Sequence, residues 1–207
     1  MKKYIVEFIG TFFLVFTVGS TVIPPGAGNL APIAIGASLM VMVFAGGYIS
    51  GGHFNPAVTF AVWIRGKFPK GDVLPYWIAQ FLAAVVAAWT IHFFKLPGSA
   101  SEMPIGPKAA LLAETLFTFA LAWVVLHTAT AGGTKGNSFY GVAIGMTVMV
   151  GAFAVGGVSG GAFNPAVATG ITLMGLSGWN NFWLFLVGEF GGAGIAALAF
   201  RFVDDGN

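Results

Sequence analysis

The chain has 207 residues, of which 57% are hydrophobic and only 8% charged; its mean hydropathy is +0.87 and its formal net charge +2. Soluble domains carry roughly 25% charged residues, so a water-solvated surface is excluded and lipid is the expected solvent. The small, scattered charge excludes a nucleic-acid surface, and the absence of cysteine excludes disulfides, thiol catalysis and Cys-ligated metals.

A membrane-spanning helix needs ~20 mostly apolar residues. In chain order, segments 4–23, 31–48, 73–94, 108–128, 139–157 and 181–202 qualify. The first follows Met1-Lys2-Lys3 and imitates a signal peptide. Its apolar run is long, however, holds Glu7 and lacks a small-x-small site before Pro24-Pro25, so it reads as a retained helix. Two apolar segments, 55–64 and 164–174, are too short to span. The expected fold is therefore an all-α membrane protein with six transmembrane helices and two re-entrant half helices.

Both short segments begin with one motif. Ser50-Gly51-Gly52-His53-Phe54-Asn55-Pro56-Ala57-Val58 returns as Ser159-Gly160-Gly161-Ala162-Phe163-Asn164-Pro165-Ala166-Val167. Asn is a strong N-cap and Pro suits the first helical position, where its missing N–H is not needed. Each copy thus reads as loop, cap, helix start. The repeat extends further. Glu7-Phe8-Ile9-Gly10-Thr11-Phe12 is matched by Glu114-Thr115-Leu116-Phe117-Thr118-Phe119, and Gln80 precedes Glu189 by the same 109 residues that separate Asn55 from Asn164. Repeat one covers about 1–95 and repeat two about 108–207 of a single membrane domain. Three spans per half is an odd number, so the halves face opposite ways: a 3+3 inverted repeat, with a site expected where the broken helices meet.

Lys and Arg set the orientation. With the N-terminus inside, Lys2, Lys3, Arg65, Lys67, Lys70, Lys135 and Arg201 fall inside and only Lys95 and Lys108 outside. Both termini are then cytoplasmic. No His/Asp/Glu cluster has metal spacing and no Ser/His/Asp arrangement is visible, so no cofactor, metal or catalytic residue is expected. His92 and His127 fall near helix ends, where an interfacial place is the default. Trp63, Trp77, Trp179 and Trp183 fit an interfacial aromatic belt.

Residue by residue, the chain resembles the aquaporin (major intrinsic protein) family, and within it a prokaryotic aquaglyceroporin-like channel. The doubled Ser-Gly-Gly and Asn-Pro-Ala motifs, the paired Glu residues and the inverted layout carry the resemblance over nearly the whole length. It implies a homotetramer of pores in the prokaryotic inner membrane, passing water or small neutral solutes through the lipid bilayer. The half-helix N-termini each hold about half a positive charge, and their meeting point repels cations. Asn55 and Asn164 would cap them and offer N–H donors to the lumen. The extended backbones of Gly51, Gly52 and His53, and of Gly160, Gly161 and Ala162, would line the pore with carbonyls. Glu7 and Glu114 would brace the two re-entrant loops by accepting their backbone N–H groups; a proton relay is the alternative.

The family usually follows its second Asn-Pro-Ala with Arg, and here Val167 stands in that place. By register, the constriction falls on Ile35, Ala152, Gly161 and Val167, a ring with no charge and no side-chain donor. Such a ring implies a wider, more apolar filter, suited to polyols or metalloid hydroxides. The alternatives are a strict water channel whose filter is rebuilt by another group such as His53 or narrowed at Phe153, a proton-coupled transporter using Glu7, Glu114 and Glu189, and a non-conducting structural member. Glu189 also departs from the family, whose last helix commonly has Pro there.

Overall fold

The computed structural model describes residues 1–95 and 99–204. Its long helices are α1 (Lys2–Val22), α2 (Ala31–Ser50), α4 (Lys70–Phe94), α5 (Pro107–Val125), α6 (Tyr140–Ser159) and α8 (Phe182–Val203). Two short ones, α3 (Pro56–Ile64) and α7 (Pro165–Leu173), complete the α-helices among the described residues. All six long ones, α5 with its continuation and α2 and α8 with their lead-in turns, are long and apolar enough to cross a membrane. The six spans and two half helices of the sequence reading are thus present. The boundaries differ by a few residues, and α5 runs on through a wider π turn over Leu126–Thr130 that periodicity does not signal.

The halves are interleaved. Helix α1 packs on α2 and α4, and α5 on α6 and α8; α2 crosses α6 at the seam. Each half helix also packs on the last helix of the other half, α3 on α8 and α7 on α4. Glycine makes the seam possible. A Cβ on Gly36 would lie 2.7 Å from the carbonyl oxygen of Gly145, and one on Gly145 only 2.5 Å from that of Gly36. In the same way Gly192 of α8 brings the α5 backbone to 2.3 Å from where its Cβ would be. Small residues at crossings let apolar helices gain van der Waals contact where lipid gives no hydrophobic drive.

The outward faces are apolar, with Leu74, Trp89, Phe93, Leu112, Val150 and Leu198 among the exposed side chains. The polar residues are inside: Glu7, Thr11, Gln80, Glu114, Thr118 and Glu189 are all fully buried. One end of the bundle is basic. There Lys3 of α1 pairs with Asp72 of α4, which also accepts from Tyr4 Oη at 2.7 Å. Arg65, after α3, reaches Asp204 at 3.2 Å and Thr130 Oγ1 at 3.2 Å.

Two side chains expected near helix ends point into the bundle. The His127 ring is held between Trp123 at 4.3 Å and Phe200 at 4.6 Å, with a buried Nε2. Trp77 is turned inward, donating from Nε1 to the Pro56 carbonyl at 3.1 Å and packing on Phe190. The reach of a long aromatic side chain toward a half helix is not encoded in its distance from a helix end.

Candidate functional site: the central pore

The two half helices begin face to face at the centre of the bundle, where α3 and α7 touch. Each is entered by a tightly specified turn. Helix α2 ends at Gly51 (φ 88°), then Gly52 (φ 63°) and Phe54 (φ 48°); α6 ends at Gly160 (φ 97°), then Gly161 (φ 65°) and Phe163 (φ 50°). These loops are therefore not simply extended, as the sequence reading has them: three positions in each are left-handed. Glycine takes that region freely, but for Phe it is strained by about 1–3 kcal/mol.

The buried acids hold the strain in place. Glu7 Oε1 accepts from His53 N at 3.0 Å and Ser50 Oγ at 2.7 Å, and its Oε2 from Phe54 N at 2.6 Å and Gln80 Nε2 at 2.8 Å. Glu114 repeats the pattern with Ala162 N at 3.1 Å, Ser159 Oγ at 2.6 Å and Phe163 N at 2.7 Å. Ser50 and Ser159 then accept from Gly52 N and Gly161 N. A dry site leaves these N–H groups no other partner, and a buried N–H without one is costly.

The asparagines work in two directions. Asn55 Oδ1 caps α3 through Ala57 N (2.8 Å) and Val58 N (3.3 Å), and Asn164 Oδ1 caps α7 through Ala166 N (2.9 Å). Their amide nitrogens do not serve the lumen alone. Asn55 Nδ2 donates to Phe163 O and Asn164 Nδ2 to Phe54 O, each at 2.9 Å. An amide carries two hydrogens, so each Asn keeps one for the cavity that both line. Pro56 and Pro165 occupy the first turn of each half helix, and Ala57 and Ala166, with no exposed surface, let the two ends approach.

A narrow cavity of about 50 Å³ runs past these groups. Its walls include Ile35, Ala152, Gly161 and Val167, together with His53, Asn55, Gly160, Ala162 and Asn164; the rest is aliphatic, from Leu14, Val18, Leu121 and Val125 among others. The four residues of the expected ring thus border one lumen. Val58, the counterpart of Val167, borders it too. At one mouth the lumen continues, past the shared residues Ile35, Ala152 and Gly160, into a cavity of about 340 Å³ between Pro24, Met103 and Leu176. Toward the basic end it continues, past His53, into a cavity of about 340 Å³, and then into one of about 570 Å³ bordered by Lys67 and Lys135. Gly51 borders the two basic-end cavities, whereas Gly52 is buried and borders none of the four.

His53 stands where the lumen meets the basic vestibule. Its Nδ1 lies 3.1 Å from Thr59 Oγ1, and its ring packs on Phe68 and Tyr76. The Thr59 hydroxyl donates to Asn55 O at 3.0 Å, so it can only accept from the ring, which puts the proton on Nδ1. Sequence reading missed Thr59, and also Tyr76, whose Oη donates to Ser50 O at 2.7 Å. Thr59 was findable, four residues into the capped helix; Tyr76 carries no signal of its own. Among the described residues no group of acids and histidines is arranged for a metal.

Comparison with known proteins gives this geometry its family. The model of the family described as major intrinsic protein matches residues 1–200. The chain belongs to the major intrinsic protein family. It is 35% identical to glycerol uptake facilitator protein-like 6 of Lactiplantibacillus plantarum, over 97% of each chain. It is 33% identical to aquaporin AqpM of Methanothermobacter thermautotrophicus, over 98% of this chain and 97% of the other. The fold matches that of the aquaglyceroporin of Plasmodium falciparum, with a TM-score of 0.83 at 23% identity over 98% of this chain and 96% of that one. Major intrinsic proteins are passive channels and not enzymes, and this chain is accordingly an integral membrane channel for water and small solutes.

Proposed function

We propose that the pore passes small, neutral, hydroxyl-bearing solutes as well as water, with Ile35, Ala152, Gly161 and Val167 as its selectivity ring. One observation carries the reading: these four residues border the lumen, and none brings a charge or a side-chain hydrogen-bond donor to it. An apolar ring leaves a passing solute its carbon face, while the two asparagine amides and the loop carbonyls handle its hydroxyls in single file. The relative named a glycerol uptake facilitator-like protein supports a polyol; a metalloid hydroxide has the same size and neutrality. Cation rejection rests on the two half-helix N-termini.

The basic end, with Lys67, Lys135 and the Arg65 pair, is the cytoplasmic side under the positive-inside rule, so both described ends of the chain face the cytoplasm. The two repeats act as one channel domain, and four copies form the assembly in a prokaryotic inner membrane. The oxygens of Glu7 and Glu114 are occupied by loop donors, which supports static braces over a proton-coupled transporter.

A second reading, water alone, is favoured by the lumen's small volume of about 50 Å³. One experiment separates the two. Proteoliposomes are shrunk in an osmotic gradient of glycerol, with sucrose as control, and followed by light scattering. Fast shrinkage with fast re-swelling supports the solute channel. Fast shrinkage without re-swelling in glycerol, urea or boric acid leaves water alone.

A further inference from the structure

Helix α8 carries an acid where the inverted repeat has an amide. Gln80 of α4 and Glu189 of α8 are counterparts, both fully buried. Gln80 gives its Nε2 to Glu7 at 2.8 Å and to Thr59 Oγ1 at 3.1 Å. The counterpart of Thr59 is Ala168, which has no acceptor to offer. Glu189 does something different: its Oε1 accepts the backbone N–H of Asn164 at 2.9 Å. We infer that Glu189 is a positioning residue for the selectivity ring, holding the Asn164 backbone so that Gly161 and Val167 keep their spacing and the pore its solute size limit. This inference rests on the ring reading above.

Asn164 is the joint between those two ring residues, three positions from each. On its N-terminal side the chain is strained at Gly161 and Phe163; on its C-terminal side α7 starts, with Val167 in its first turn. Every polar group of Asn164 is engaged: Oδ1 with Ala166 N, Nδ2 with Phe54 O, the carbonyl with Ala168 N at 2.8 Å, and the N–H with Glu189. Only the last of these ties the joint to a spanning helix. The others tie it to its own half helix or to the opposite loop. Removing the Glu189 acceptor leaves a buried N–H unsatisfied and cuts the one tie from Asn164 to a spanning helix, so the joint between Gly161 and Val167 loosens even while Glu114 holds the turn before it.

The acceptor role can be separated from the carboxyl. Glu189 Oε2 is buried with no partner, and the carboxyl adjoins that of Glu114. A glutamine there keeps the Oε1 acceptor for Asn164 and turns an N–H toward Glu114. An aspartate keeps the carboxyl but draws the acceptor back by one methylene.

The test compares wild type, Glu189→Gln, Glu189→Asp and Glu189→Ala. Two readouts are taken in proteoliposomes: permeability to linear polyols of increasing length relative to water, and hydrogen exchange of the amides of 160–164. Glu189→Gln is expected to keep the wild-type polyol limit and slow exchange. Glu189→Asp and Glu189→Ala are expected to exchange the Asn164 amide roughly tenfold faster, the scale of one lost buried hydrogen bond, and to shift the polyol limit while water permeability holds. If Glu189→Ala does not insert, the Asp and Gln variants decide the matter. Wild-type exchange and size limit in Glu189→Asp, or a Gln variant that behaves as the Asp variant does, overturns the inference. A wild type that passes water but no polyol defeats the ring reading alone, because the exchange contrast still reports the anchor.

Discussion

Asn55 and Asn164 each donate a side-chain N–H to the carbonyl of the phenylalanine that precedes the other, both at 2.9 Å. The exchange fastens the two half helices into one unit. It also places a donor in each strained Phe turn, where Phe54 and Phe163 are held by an acid at N–H and by an asparagine at C=O. Each Asn→Ala change removes a cap, about 0.5–2 kcal/mol, and also the cross-tie. The two ties share one pair of turns, so the double variant should lose measurably less than the sum of the singles. Denaturant unfolding in mixed micelles checks this; strict additivity would mean that the ties are independent.

Glu7 and Glu189 are both buried acids, but they should respond oppositely to amidation. The Glu7 oxygens accept from four donors. In Glu7→Gln either amide orientation aims N–H groups at two of them, with a loss of about 1–3 kcal/mol for each unsatisfied group. Glu189→Gln meets no such conflict. The midpoint temperature of thermal inactivation in detergent should therefore fall sharply for the first and stay near wild type for the second.

The fold was legible because lipid makes length and hydropathy decisive, and because an inverted repeat writes the same signal twice. Asn-Pro-Ala gave both half-helix starts to within a residue, since cap and N1 chemistry is local. What was not legible is what depends on a second chain segment at an unknown angle. The left-handed φ of Phe54 and Phe163 goes against the residue type and persists only because Glu7 and Glu114 hold both turns. The cross-donation of Asn55 and Asn164 requires the two loops to meet, and a motif read alone sends both amide hydrogens to the lumen. The partner of Glu189 depends on which face of α8 it occupies, which an almost uniformly apolar helix does not disclose.

Ala152 offers a clean chemical probe of the ring. The protein has no cysteine, so a single engineered thiol is the only target. Gly161 is the poorer position: its φ is 65°, and a Cβ there would meet Gly156 Cα at 3.3 Å. Ala152 already carries a Cβ on a helix and borders the lumen. Ala152→Cys should conduct normally and lose most water and solute flux on treatment with a small methanethiosulfonate. Full flux after confirmed labelling would place the constriction elsewhere.

Val167→Arg tests the ring from the other side. Val167 is 4% exposed, in the first turn of α7, against Ile35 and Ala152 across the lumen. A guanidinium there adds bulk, a fixed positive charge and up to five donors. Bulk narrows the ring for a carbon-backed solute, whereas the donors can replace hydrogen bonds for a single water. Glycerol flux is expected to fall by roughly tenfold or more, the effect of about 1.4 kcal/mol on a barrier, with a much smaller change for water. The same stopped-flow traces give both rates. An equal fall in both would show that the ring does not set the solute filter, and an unchanged glycerol rate would show that solute passes without touching Val167.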